Sequence, residues 1–267
     1  MNLKLEDSLS LEETKERAEK LIEKTKGTTK LSILIASTKD RRAMLNILTN
    51  EFYGQIEKHG YAGKGKECWA VRIPMIKEGT ENEQELDKDG NPRWYLSEFT
   101  FRHPPIVEVI VNEDNREMIL GDKRNALLEK AKGEYIVFFD SDDFPEPNYV
   151  KEIMGAIKQS PDCVGFKIAM TTNGKQPEVC IHSLRNKEWT HNGSEYLRNV
   201  THFNPVRKDL AIQAGFPSIR FGEDKVYSDK VSALCKNEVF IDKFLFNYRY
   251  SNQMPHNEKY GLIHDVK

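Results

Sequence analysis

The sequence predicts an α/β protein of three layers, α/β/α, around a mostly parallel sheet, with a mixed C-terminal part and an inserted β-hairpin. Three observations carry this. Leu31–Ala36 and Glu134–Phe139 are short, largely apolar runs, which is how a strand covered on both faces reads, and Ile106–Val111, between them, is a further clear strand. Polar turns and helical patterns follow them: Met44, Leu45, Leu48 and Phe52 after the first, and Ala126, Leu127 and Ala131, closed by Gly133, after the second. After the third, Tyr149, Ile153 and Ile157 mark another amphipathic helix that ends by Pro161 and leads to a strand over Cys163–Met170. The order is β-α-(hairpin)-β-α-β-α-β.

The remaining segments fit around this frame. Ser8 to Gly27 reads as a surface helix, because Ser10 and Glu13 make a capping box and Leu11, Ala18, Leu21 and Ile22 form a thin apolar stripe. From about Lys58 to Pro105 the pattern loosens. Trp69–Ile73 and Trp94–Phe101 alternate like the arms of a hairpin, with a strong turn signal at Asp89-Gly90-Asn91-Pro92. In the second half, Pro177–Leu184 and Lys187–Thr190 suggest short antiparallel strands. A helix runs through Leu210, Ile212 and Ala214 to Gly215, another starts near Gly222, and Val239–Tyr250 is strand-like.

Composition narrows the class. The chain has 267 residues, enough for one large or two small domains, and is 38% hydrophobic and 31% charged, values of a globular protein with a well-charged surface. No apolar run approaches the roughly 18 residues of a membrane span, and the N-terminus lacks a signal-peptide pattern, so a cytoplasmic setting is expected. Cys68, Cys163, Cys180 and Cys235 are scattered, without the spacing of a zinc site or a disulfide framework. A net charge of −2 gives no global footprint for nucleic acid.

The chemistry concentrates at Asp140-Ser141-Asp142-Asp143, where carboxylates crowd the end of a buried strand. Such a cluster is costly unless something positive meets it. In extended backbone Asp140 and Asp142 leave on the same side, and two hard oxygen donors suit Mg2+ or Mn2+ that also holds phosphate oxygens. Asp143 reads instead as the cap of the next helix, with Pro145 in its first turn. Lys123 and Arg124 occupy the first turns of a helix, where cations oppose the macrodipole, so they either point to a nearby anion such as a diphosphate or form a solvated pair. The turn after the first strand suits a nucleotide, or else Thr38 or Asp40 caps the helix. Asp114 either accepts from a base or ribose or forms an Asx-turn. Glu223 and Asp224 fit plain capping of a helix start.

Taken together, Gly121-Asp-Lys-Arg-Asn125, Ala131-Lys-Gly-Glu-Tyr-Ile136, Phe139-Asp-Ser-Asp-Asp143 and Phe221-Gly-Glu-Asp224 with Tyr227-Ser228 resemble, in order and spacing, the family-2 glycosyltransferases of the GT-A fold. The resemblance extends from Leu31 to about Tyr250, apart from the insert. It implies a GT-A-like, Rossmann-like catalytic domain over residues 31–250. Residues 31–160 form its nucleotide-sugar half, interrupted by a hairpin insert at about 58–105, and residues 161–250 its acceptor half. Residues 1–30 are then a helical appendage and 251–267 a tail.

By the same resemblance, Thr38 and Asp40 sit against the base and Asp114 reads it. Lys123 and Arg124 lie near the phosphates, Asp140 holds ribose or metal-bound water, and Asp142 ligates Mn2+ or Mg2+, with His256 a loose candidate to complete the site. Asp224, with Glu223 beside it, is the general base. Lys39 stands where the family often has an aromatic residue, which removes the usual stacking on the base.

The implied activity is inverting transfer from a nucleotide sugar, expected to be a UDP-sugar, to an acceptor hydroxyl. The ion serves the leaving diphosphate and Asp224 takes the acceptor proton. The rivals are a nucleotidyltransferase of similar fold, which would want a glycine-rich first loop, and a non-catalytic sugar-nucleotide or partner module. A saccharide acceptor is favoured over a modified nucleic-acid base. Arg207, Lys208 and Arg220 would suit an anionic one.

Overall fold

The computed structural model describes residues 4–6, 29–62, 66–74, 86–90, 94–102, 105–173 and 177–250, with side chains for all of these but residues 4–6, 66–74, 94–102 and 250. The expected helix over Ser8–Gly27 lies outside the described residues, as does His256. In chain order the first half contains β1 (Lys4–Glu6), β2 (Leu31–Thr38), a 3-10 turn (Lys39–Arg41), α1 (Arg42–Lys58), β3 (Lys66–Pro74), β4 (Trp94–Arg102), β5 (Val107–Asp114), α2 (Leu120–Lys130) and β6 (Tyr135–Asp140). The second half contains β7 (Phe144–Pro145), α3 (Tyr149–Ile157), β8 (Cys163–Thr172), β9 (Glu178–His182), β10 (Thr190–His191), β11 (Glu195–Arg198), β12 (Val206–Arg207), α4 (Lys208–Ala214), α5 (Glu223–Leu234) and β13 (Glu238–Tyr250).

The chain divides into two units, residues 1–28 with 63–105, and residues 29–62 with 106–267. In the first, β3 and β4 form the expected antiparallel hairpin, and β1 adds to β3 in parallel. In the second, β5-β2-β6 pair in parallel, and β12 slips antiparallel between β6 and β8. β13 joins β8 in parallel. The sheet turns mixed beyond β8, where β9 runs antiparallel to it and β11 parallel to β9. This is the mostly parallel sheet with a mixed C-terminal part that the pattern predicts. Where the chain leaves the larger unit and returns to it, the Tyr61 carbonyl accepts from both the Ile106 and Val107 N–H groups, at 3.0 and 3.2 Å.

Strand alternation builds the layers. Successive side chains of a strand face opposite ways. Ile33 and Ile35 of β2 and Val137 and Phe139 of β6 pack with Leu48 and Phe52 of α1 and Tyr149 and Ile153 of α3. Leu34, Ile136 and Phe138 pack the other way, with Leu127 of α2, Ala211 of α4 and Tyr227 of α5. By the same parity, Asp140 follows Ile136 and Phe138 toward the face that carries α2 and α5. Within α1, Leu45, Leu48, Phe52 and Ile56 are buried, whereas Met44, expected on that stripe, is 49% exposed.

Two local expectations are corrected. The strand ends at Asp140, and a turn follows in which the Asp143 N–H donates to the Asp140 carbonyl at 3.1 Å. Asp140 and Asp142 are thus not alternate residues of one strand. Nor is Asp143 a helix cap: α3 starts only at Tyr149, after Asn148. The reason lies in the tertiary pairing of Phe144 and Pro145 with Asn247 and Phe246, which holds this stretch extended.

Candidate active site

The carboxyl ends of the parallel strands lie level, with Ala36 opposite Asp140 and Thr38 opposite Asp114. A cleft opens there, as expected at the carboxyl edge of an open α/β sheet. Its wall includes Ser37, Thr38, Asp140 and Asp142. Five cations also line it: Arg41, Arg116, Lys123, Arg220 and Arg249.

The start of α2 organises the cleft's inner wall, each of five consecutive residues engaging a distant segment. A Cβ on Gly121 would come within 1.9 Å of the Pro217 carbonyl oxygen, so glycine alone permits this approach. Asp122 accepts from the Ser218 hydroxyl at 2.9 Å. Lys123, buried, donates to Asp114 Oδ1 at 2.5 Å and to the Ser37 carbonyl at 2.8 Å. Arg124 donates to Glu223 Oε1 at 2.8 Å and Asp140 Oδ1 at 3.1 Å. Asn125 clamps the Phe216 backbone with a donated bond of 2.8 Å and an accepted one of 2.9 Å. The loop before α5 is thereby fixed to the strand ends.

Arg124 is the electrostatic centre. Only 2% exposed, it lies over Phe216 and Phe138, with its Nη2 3.3 Å from His202 Nε2. A single guanidinium therefore serves both Asp140 and Glu223. Burial works against ionisation of Asp140, but His202 and Arg124 overcome it and hold the carboxyl well below the usual range. At Glu223 the balance goes the other way: burial, abetted by the Asp224 charge, outweighs Arg124 and pushes the carboxyl up to about 7. Burial and the Arg124 charge both lower the His202 pKa, which favours the neutral ring.

Asp142 turns to the opposite wall, 3.2 Å from the Arg41 guanidinium, with 40% of its side chain exposed. Asp140 keeps 32% exposed. Behind them Asp143 is buried, with Oδ2 unpartnered and its carboxyl pushed well up by burial and by the Asp140 and Asp142 charges. Among the described residues no three His, Cys, Asp or Glu side chains converge into a complete cage for a metal ion. Two carboxylates facing a cation-lined cleft nevertheless fit Mg2+ or Mn2+, which binds through one or two carboxylates when phosphates and waters supply the remaining oxygens.

The structure distributes the sequence-predicted residues as follows. Thr38 lines the cleft; Asp40 is exposed, accepts from Arg116 at 2.7 Å, and is held low first by the Thr38 hydroxyl. Neither Thr38 nor Arg41, the residues preceding the 3-10 turn and α1, makes a side-chain capping bond. Asp114 forms the Asx-type turn, accepting from the Arg116 and Met118 N–H groups at 2.9 Å each. Burial opposes its ionisation, and Lys123 with these two donors more than offsets that. Lys123 reaches the cleft wall while paired, whereas Arg124 lies behind Asp140. Glu223 and Asp224 open α5 after Gly222, whose φ of 75° is the left-handed conformation glycine tolerates.

Of the cations weighed for an anionic acceptor, Arg207 is bound to Asp162 and Asp209, and Lys208 to the Ala131 carbonyl. Arg220 alone of the three lines the cleft. Sequence reasoning passed over His202, Arg41, Arg116 and Arg249. Their roles come from segments brought together by the fold, and no local spacing marks them.

Residues 92–205 match the profile of glycosyl transferase family 2. The matched segment holds Asp114, Lys123, Arg124, Asp140, Asp142 and His202, and it stops short of Glu223 and Asp224. A 68-residue stretch is 37% identical to EpsH of Bacillus subtilis, which bears a glycosyltransferase name; it covers 23% of this chain and 20% of EpsH.

In fold the chain is similar to residues 1–349 of S. aureus TarS. The crystal structure with UDP-GlcNAc gives a TM-score of 0.53 at 16% identity over 89% of this chain and 62% of that one. The structure with UDP gives 0.51 at 16% identity, over 84% and 61%. The chain thus spans a fifth of EpsH and under two thirds of the TarS chains. The neighbours bear out the GT-A-like fold.

Proposed function

We propose that this chain is an inverting, divalent-metal-dependent glycosyltransferase that moves a sugar from a UDP-sugar to the hydroxyl of a saccharide. One observation carries the reading: Asp140 and Asp142 share a single cleft with five cations at the carboxyl edge of the sheet. That mixture suits a diphosphate accompanied by a metal ion better than it suits either alone. The UDP and UDP-GlcNAc complexes of TarS support the donor class.

Asp142, with Asp140, would hold Mn2+ or Mg2+, which supplies Lewis-acid charge neutralisation for the departing nucleoside diphosphate. Arg41, Arg220 and Arg249 bind the diphosphate oxygens from the cleft walls. Thr38, Asp40 and the Asp114 turn frame the nucleoside, with Arg116 carrying the contact across to Asp40. Arg124 keeps Asp140 ionised and holds the start of α5 in place. Asp224 accepts the proton of the acceptor hydroxyl as its oxygen attacks the anomeric carbon. With Glu223 turned to Arg124 and Asp140 and Asp142 given to the ion, no further carboxylate among the described residues of the cleft is offered as a nucleophile, and a single displacement inverts the anomeric centre.

A thermal-shift series with UDP-GlcNAc, other sugar nucleotides and UDP, each with and without Mn2+, tests the reading. The expected result is a rise in Tm with uridine nucleotides that depends on Mn2+. No response to any sugar nucleotide would defeat it, and pyrophosphate release from a nucleoside triphosphate would assign a nucleotidyltransferase instead.

A further inference from the structure

Beyond the cleft, Arg198 at the end of β11 lies between two aromatic rings, its guanidinium carbon 4.9 Å from the Trp189 ring centre and 5.4 Å from that of Tyr196. Its Nη1 donates to the Thr190 and Leu197 carbonyls at 3.3 and 3.1 Å. Among the described residues no carboxylate pairs with it. Its charge is felt inside the fold, where burial first and Arg198 second lower buried His182 to about 3. Lys225, the neighbouring cation 5.8 Å from the Trp189 ring, is bound instead to Asp229.

The stack is tied to the candidate active site at two points. The Trp189 indole N–H donates to Asn199 Oδ1 at 2.8 Å, and the same oxygen accepts from Ser228 of α5 at 2.5 Å. From Asn199 the chain runs three residues to His202, which touches Arg124. Lys225, on the other side, directly follows Asp224. A guanidinium held by two ring contacts and two carbonyl bonds has little freedom left to lose when the rest of its donor fork meets an oxyanion.

We infer that Trp189, Tyr196 and Arg198 form an acceptor subsite that recognises an anionic group, phosphate or carboxylate, on the saccharide. As an acceptor subsite it rests on the transferase reading; as an anion site it stands on the stack alone.

The test is NMR titration of the 15N-labelled chain, with the Trp189 indole signal identified by its disappearance in Trp189→Phe. Glucuronate, glucose 6-phosphate, inorganic phosphate and glucose are added at constant ionic strength. The charged sugars should move the Trp189 indole and glucose should not. Arg198→Gln should abolish the shift, and Arg198→Lys should weaken binding by about tenfold, the effect of losing one charge-assisted bond. Dispersed amide spectra in both variants separate lost binding from lost fold. A response to glucuronate alone assigns a carboxylate and one to glucose 6-phosphate alone a phosphate, each in support. An equal response to glucose, an undiminished one in Arg198→Gln, or inorganic phosphate binding as tightly as the sugars overturns the proposal. These shifts need no donor, so absent sugar-nucleotide binding would strike the transferase reading and leave the anionic-saccharide site standing.

Discussion

Replacing Glu223 by Gln should flatten the pH dependence of folding stability between about pH 4.5 and 7. Glu223 is 4% exposed, shares one guanidinium with Asp140, and has a carboxyl raised from 4.5 to about 7. A carboxyl whose folded pKa is raised binds its proton more tightly in the native state. Its contribution is fully present below pH 4.5 and is lost as pH rises through about 7. At about 1.4 kcal/mol per pH unit, the gap amounts to ~3 kcal/mol. Gln keeps the shape and the bond to Arg124 but cannot ionise. Urea denaturation at half-unit steps from pH 4 to 8 measures the difference in stability between wild type and Glu223→Gln. That difference should move by ~3 kcal/mol in favour of the variant across the window and stay level below it. Parallel curves would refute the argument that burial outweighs Arg124 at this carboxylate.

Three further outcomes follow from the same geometry. Asp142→Asn removes a half-exposed partner of Arg41, so stability should change by no more than about 0.5 kcal/mol, while Mn2+-dependent binding of UDP in a calorimeter is lost; retained metal dependence would exclude Asp142 as a ligand. Asp224→Asn should lower sugar transfer by roughly 10^2 to 10^4 with donor affinity kept, and near-normal transfer would require another base. Gly121→Ala places a methyl group against the Pro217 carbonyl and should cost about 1–3 kcal/mol in a urea titration; a change under about 0.5 kcal/mol would mean that the loop before α5 yields freely.

Periodicity alone exposes much of this fold. The apolar runs at Leu31, Ile106 and Glu134 become three adjacent parallel strands, of which β5, at the sheet edge, buries only Val107, and the turn chemistry at Asp89-Gly90 correctly anticipates a hairpin. The strand ends, and hence Asp140, Asp142 and Thr38, are legible for the same reason. Partner choice is not. Lys123 and Arg124 look misplaced at a helix start and so suggested an external anion. In the structure, carboxylates 9, 16 and 99 residues away already meet them. A local rule detects that something negative is needed, but it cannot say whether the chain itself provides it. Phe144-Pro145 shows the same limit: its helix-start signals are sound, yet pairing with β13 overrides them.

The closure at Tyr61 carries a consequence for chain length. One carbonyl fixes the residues on either side of the departure at 62 and the return at 106, so the entropy of bringing those ends together is already spent within the larger unit. Whatever lies between can lengthen, shrink or be exchanged without altering how β5 seats against β2. The span 63–105 is thus a candidate port for a reporter or an affinity handle, with the pairing of β5 on β2 expected to persist.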